Sequence, residues 1–83
     1  MRYEVTTKLT SQEAIQRAIA HFGPQGTGLQ LVDHNEACLV FEGGGGHVAV
    51  TACPGETSQA KTTVELETRE WDYAVRQFMA QIG

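Results

Sequence analysis

From Arg2 to Leu9 the chain alternates strictly. Tyr3, Val5, Thr7 and Leu9 point one way, and Arg2, Glu4, Thr6 and Lys8 the other. A period of two predicts a strand with one buried and one wet face. At Thr10 the period changes. Thr10-Ser11-Gln12-Glu13 reads as a capping box, with Leu9 placed to staple against Ala14. Ala14, Ile15, Ala18, Ile19 and Phe22 then form one helical stripe, and Glu13 and Arg17 are spaced as an i,i+4 surface pair. Gly23-Pro24 ends this helix, because a proline cannot continue it.

After Gln25-Gly26-Thr27-Gly28, Leu29 to Asp33 reads as a second strand and His34-Asn35-Glu36 as the turn into a third. Cys38-Leu39-Val40-Phe41-Glu42 and His47 to Cys53 are two β-rich runs joined by Gly43-Gly44-Gly45-Gly46, a hairpin signal. Leu29, Leu31, Leu39, Phe41, Val48, Val50 and Ala52 are expected to face inward. Gln30, Val32, Cys38, Val40, Ala49, Thr51 and Cys53 are expected to face outward. Pro54 to Gln59 is a polar connection to a fifth strand, in which Thr62, Val64, Leu66 and Thr68 alternate with Lys61, Thr63, Glu65, Glu67 and Arg69. Trp71, Val75, Phe78, Met79 and Ile82 recur at helical spacing, with Asp72 and Arg76 as a second i,i+4 pair. Burial of Trp71 and Phe78 against the sheet is expected to contribute ~2–3 kcal/mol each.

The predicted order is β-α-β-β-β-β-α in a single domain, residues 1–83. Two amphipathic helices must bury their stripes on one face of a five-stranded antiparallel sheet, giving an α+β two-layer sandwich. This order resembles a single repeat of the TATA-box-binding-protein fold and a short helix-grip domain of the START and Bet v 1 type. The resemblance covers the whole chain and is one of topology. It implies that the first and fifth strands lie side by side, so that Glu4, Lys8, Lys61, Glu65 and Glu67 form a mixed-charge ladder. The chain is more acidic than the DNA-binding family and too short to enclose the large cavity of the helix-grip family.

Composition narrows the function classes. An 83-residue chain can hide roughly 60–65% of its unfolded surface, enough for one modest core. Ten acidic against six basic residues give a net charge of −4, and the basic ones are scattered, which argues against nucleic-acid binding. No run approaches the ~20 apolar residues of a membrane span. The alternating N-terminus has no signal-peptide block, so a cytoplasmic location is the expectation.

Candidate chemistry is sparse. Cys38 and Cys53 flank the glycine hairpin. A turn at Gly45-Gly46 would set them opposite each other, whereas a four-glycine loop would pair Cys38 with Thr51. They read as ordinary strand cysteines; a disulfide would need an oxidising compartment. His34 lies toward the same end of the sheet, but no metal-ligand spacing is present, so no metal is expected. The glycines could offer backbone amides to a phosphate, yet a strand follows them where a phosphate loop has a helix. His47 reads as a solvated strand end, and His21 suits the C-terminal dipole of the first helix. Glu65 and Glu67 lie ~6–7 Å apart on one strand face, a separation that could serve two-carboxylate chemistry but more simply confers solubility. Trp71 reads as a core anchor of the last helix.

No catalytic residue and no cofactor is therefore expected. The outward set Val32, Cys38, Val40, Ala49, Thr51 and Cys53 is unusually apolar for a wet face. The reading is a small non-enzymatic interaction domain that pairs with itself as a two-fold dimer, or with an unidentified protein partner, through this face or an edge strand. The alternative is a small-molecule binder or cryptic helix-grip-like enzyme, with its ligand between helices and sheet.

Overall fold

The computed structural model describes residues 2–35, 37–53 and 61–83. Glu36 and the polar connection expected at Pro54 to Gln59 lie outside them. Seven elements follow in the expected order: β1 (Arg2–Thr7), α1 (Ser11–Phe22), β2 (Gln30–His34), β3 (Cys38–Gly43), β4 (Gly46–Cys53), β5 (Thr62–Arg69) and α2 (Asp72–Ile82). The strands form one antiparallel sheet in the order β1-β5-β4-β3-β2, with β1 beside β5.

Local chemistry explains each boundary. Thr10 is the N-cap of α1: its hydroxyl accepts from the Glu13 amide at 3.1 Å while the Glu13 carboxylate accepts from the Thr10 amide at 3.3 Å. Because Glu13 is turned back to this reciprocal cap, the expected surface pair with Arg17 does not form among the described residues. Gly23 closes α1 with φ −71°, so glycine is not needed there for a left-handed conformation. It is needed for space, since a Cβ would collide with the Ile19 carbonyl.

The β3–β4 hairpin turns at Gly44-Gly45, whose φ values of 58° and 82° are both left-handed, the turn type that follows the twist of the flanking strands. This pairs Gly43 with Gly46 and Cys38 with Thr51, the second of the two registers weighed from the sequence. The Asn35 carboxamide accepts from the Ala37 and Cys38 amides at 3.1 and 2.9 Å and leads the chain into β3. β2 carries a bulge. Leu31 pairs with Phe41 but Asp33 pairs with Val40, so Val32 is the extra residue.

Both helices lie on one face. Phe22 at the end of α1, Phe41 on β3 and Phe78 on α2 are each fully buried, with Phe22 centred 5.6 Å from Phe41 and 5.2 Å from Phe78. Around them Leu39, Val48, Val50, Val64, Leu66 and Val75 exclude solvent completely, and the buried apolar residues form one cluster. At the far end Thr7 is buried, and its hydroxyl donates to the Ile82 carbonyl at 2.5 Å, tying β1 to the last turn of α2.

Candidate functional site

The outward residues of β3, β4 and β5 assemble as the alternation predicts, the bulge in β2 turns Asp33 outward beside Val32, and no described element covers them. Register sets Cys38 opposite Thr51, Val40 opposite Ala49 and Glu42 opposite His47 across β3 and β4. Across β4 and β5 it sets Ala49 opposite Glu67, Thr51 opposite Glu65 and Cys53 opposite Thr63. Cys38, Val40, Ala49 and Thr51 are half-buried by their neighbours, Cys53 is exposed, and Val32 on the bulge is 47% exposed. The face is mixed in polarity: Val32, Cys38 and Val40 stand among Gln30, Asp33 and Glu42 over β2 and β3, the residues along the centre of β4 are small, and β5 and β1 are acidic.

On the acidic side, Arg2 lies opposite Glu67 and Glu4 directly opposite Glu65. The Arg2–Glu67 approach is 3.6 Å between side chains that are 78% and 52% exposed, a geometry worth little in water. His47 Nε2 also lies 3.6 Å from Glu67; His47 stands opposite Glu42 on β3 and Arg69 on β5, and is not simply a solvated strand end. Lys8 and Lys61, expected in the ladder, fall just beyond the ends of β1 and β5. Between β4 and β5 is a notch of about 130 Å³, floored by Ala49 and Thr51 and rimmed by Arg2, Glu65 and Glu67.

The two cysteines are free and are not register partners. The Thr51 hydroxyl donates to Cys38 Sγ at 3.7 Å. His34 pairs with Leu39, which places it on the helix-covered face and away from Cys38. No group of three or more metal-ligating side chains occurs among the described residues.

A second concavity, about 660 Å³, runs between α1 and α2 on the outer side of the helical layer; Arg17, His21, Trp71, Tyr73 and Gln77 line it. The space between helices and sheet, where the helix-grip alternative would hold a ligand, is occupied at its centre by Phe22, Phe41 and Phe78. Two side chains lining the groove have structural duties that the sequence did not reveal. His21 Nε2 lies 3.0 Å from the Ala74 carbonyl and joins the helices. Trp71 packs against the core cluster but is only partly buried. It sits at the N-cap of α2, where its indole N–H donates to the Gly43 carbonyl at 2.9 Å and its ring lies against Gly44. Thus Trp71 latches the hairpin tip to the helical layer. Glu70, beside it, is the one non-glycine described residue with a left-handed φ, 76°.

Comparison with known protein families, curated proteins and solved structures finds no match to this chain. No described helix is long and apolar enough to cross a membrane. The functional reading therefore rests on the geometry of the chain itself.

Proposed function

We propose that the chain is a small non-enzymatic protein-interaction module whose working surface is the open face of the sheet. The observation that carries this reading is the gathering of Val32, Cys38, Val40, Ala49 and Thr51 on a sheet face that no described element covers. A two-layer sandwich hides one face of its sheet, and the other is ordinarily polar. Here Val32, Cys38, Val40 and Ala49 form an apolar stretch within that face, the composition of a surface that meets another protein. A second protein surface, whether another copy or a different chain, would cover it. A reducing, cytoplasmic setting suits the two free thiols, Cys38 and Cys53.

The test is Val40→Asp. Val40 contributes nothing to the buried cluster, so the variant is expected to keep the circular dichroism and melting temperature of the parent. Sedimentation across a wide concentration range, together with the peptide titration described next, then reads the function. Loss of association with either a second copy or the peptide supports the reading. If Val40→Asp alters neither, the reading is wrong.

A further inference from the structure

We propose that the open face receives a cationic amphipathic helix of another protein, laid along β4. This rests on the reading of that face as the docking surface and names its occupant. The shape comes from side-chain size. Along the centre of β4 the outward residues are Ala49 and Thr51, flanked by Cys38 and Val40 on β3 and by the longer Glu65 and Glu67 on β5. The result is a low floor with an acidic wall on one side (Glu65, Glu67, with Glu4 behind) and a low apolar border on the other (Cys38, Val40). The notch between Glu65 and Glu67 opens in this floor.

The charge of this face argues against a second copy and for a basic partner. Outward positions of the five strands hold the carboxylates Glu4, Asp33, Glu42, Glu65 and Glu67 against the guanidiniums Arg2 and Arg69. Face-to-face pairing of two copies would bring these acidic surfaces together, and like-charge juxtaposition across an interface is costly. Glu4 and Glu65, moreover, stand directly opposite each other with no cationic partner among the described residues, an arrangement that destabilises an isolated strand pair. An arriving ammonium or guanidinium group relieves that repulsion. The spacing fits a helix. Residues two apart on a strand lie ~6–7 Å apart, and side chains at i and i+4 on a helix are ~5–6 Å apart. Lysines on one flank of a helix thus meet Glu65 and Glu67 together, while an adjacent leucine stripe covers Val40 and Ala49.

The experiment titrates the isotope-labelled chain with a synthetic amphipathic helical peptide that has a leucine stripe flanked by lysines. The counterpart peptide carries glutamates in place of the lysines. The expected result is that the lysine peptide shifts the amide resonances of Val40, Ala49, Thr51 and Glu65, and that added salt weakens it. The glutamate peptide should give no such shifts. The double variant Glu65→Lys, Glu67→Lys is expected to lower affinity for the lysine peptide by roughly tenfold or more, which is the scale of two close charge pairs. Equal binding of the two peptides, or an unchanged affinity in the double variant, overturns the cationic assignment. If Val40→Asp still abolishes binding in that case, the docking face itself stands. Shifts confined to the groove around Trp71 and Tyr73 overturn both. So does a peptide that fails to bind a chain that stays monomeric. A dimer that Val40→Asp dissociates identifies a second copy as the occupant and overturns the heterologous helix.

Discussion

The phenol of Tyr3, on the first strand, donates a hydrogen bond of 2.6 Å to the carboxylate of Asp72, in the first turn of the last helix. Arg76 lies over the same ring, 6.0 Å from its centroid. The Asp72–Arg76 ion pair expected from i,i+4 spacing does not form among the described residues; both side chains turn instead to Tyr3, a strand residue 69 positions from Asp72. The hydrogen bond to Asp72 pushes the phenol above its usual 10.0, desolvation adds to this, and Arg76 opposes it.

A group that is harder to deprotonate in the folded chain stabilises the fold below its unfolded pKa, and that contribution is lost as pH rises through the folded value. Stability is therefore expected to fall with alkaline pH, starting near the ordinary phenol range. Phenol absorbance titration of Tyr73→Phe, which leaves Tyr3 as the single tyrosine, checks this. Its midpoint should lie above 10.0, and Asp72→Asn should bring it down.

Trp71→Phe keeps most of the apolar contact but removes the donor to the Gly43 carbonyl. A destabilisation of ~1–2 kcal/mol is expected by urea unfolding. Gly44→Ala attacks the same contact from the other side. Its φ of 58° disfavours a Cβ, which would also sit 3.0 Å from the indole ring, so a loss of ~1 kcal/mol or more is expected. The two effects should fall short of additive, because one contact is shared.

Phe22→Ala removes the ring on which both Phe41 and Phe78 rest. A cost of ~3–5 kcal/mol is expected against a total stability of ~5–15 kcal/mol for a domain of this kind. Thermal melts should show a chain close to its folding threshold, while Phe22→Leu retains a cooperative transition.

Glu4→Lys replaces the like-charge pair with Glu65 by an opposite-charge one. The variant is expected to gain ~0.3–1 kcal/mol in chemical denaturation. In the same sample, affinity for the lysine-flanked peptide should fall. A gain in stability with a loss of binding is the signature of a residue kept for association rather than for folding.

Where the sequence could be read and where it could not follows from the range of each interaction. Period-two alternation placed Val40, Ala49 and Thr51 outward, and the Thr10–Glu13 box started α1, because both signals lie within a few residues of each other. The register of the hairpin depended on which glycines turn, and four identical residues carry no information on that point. The Gly44-Gly45 turn settled it only in three dimensions. Trp71 has helical spacing with Val75 and Phe78 and so reads as core. Its indole instead turns to a carbonyl 28 residues earlier. His21 and Tyr3 were opaque for the same reason, since their partners, Ala74 and Asp72, are remote in the chain. The acidic side of the open face was half legible: the alternation gave Glu65 and Glu67, and the pairing of β1 with β5 added Glu4.

The bulge at Val32 and Asp33 has a bearing on polymerisation. A sheet with two straight free borders can add strands at both, and each addition exposes a new border, which is how filaments grow. In this chain β2 is kinked at one border, where two residues stand against Val40, and any added strand would have to copy the kink. β1, at the other border, pairs with β5 over six residues without interruption. Two molecules joining along β1 would use up both straight borders and leave a kinked one at each end. Such a pair would be a dead end for growth, because each of its free borders would carry the kink at Val32 and Asp33.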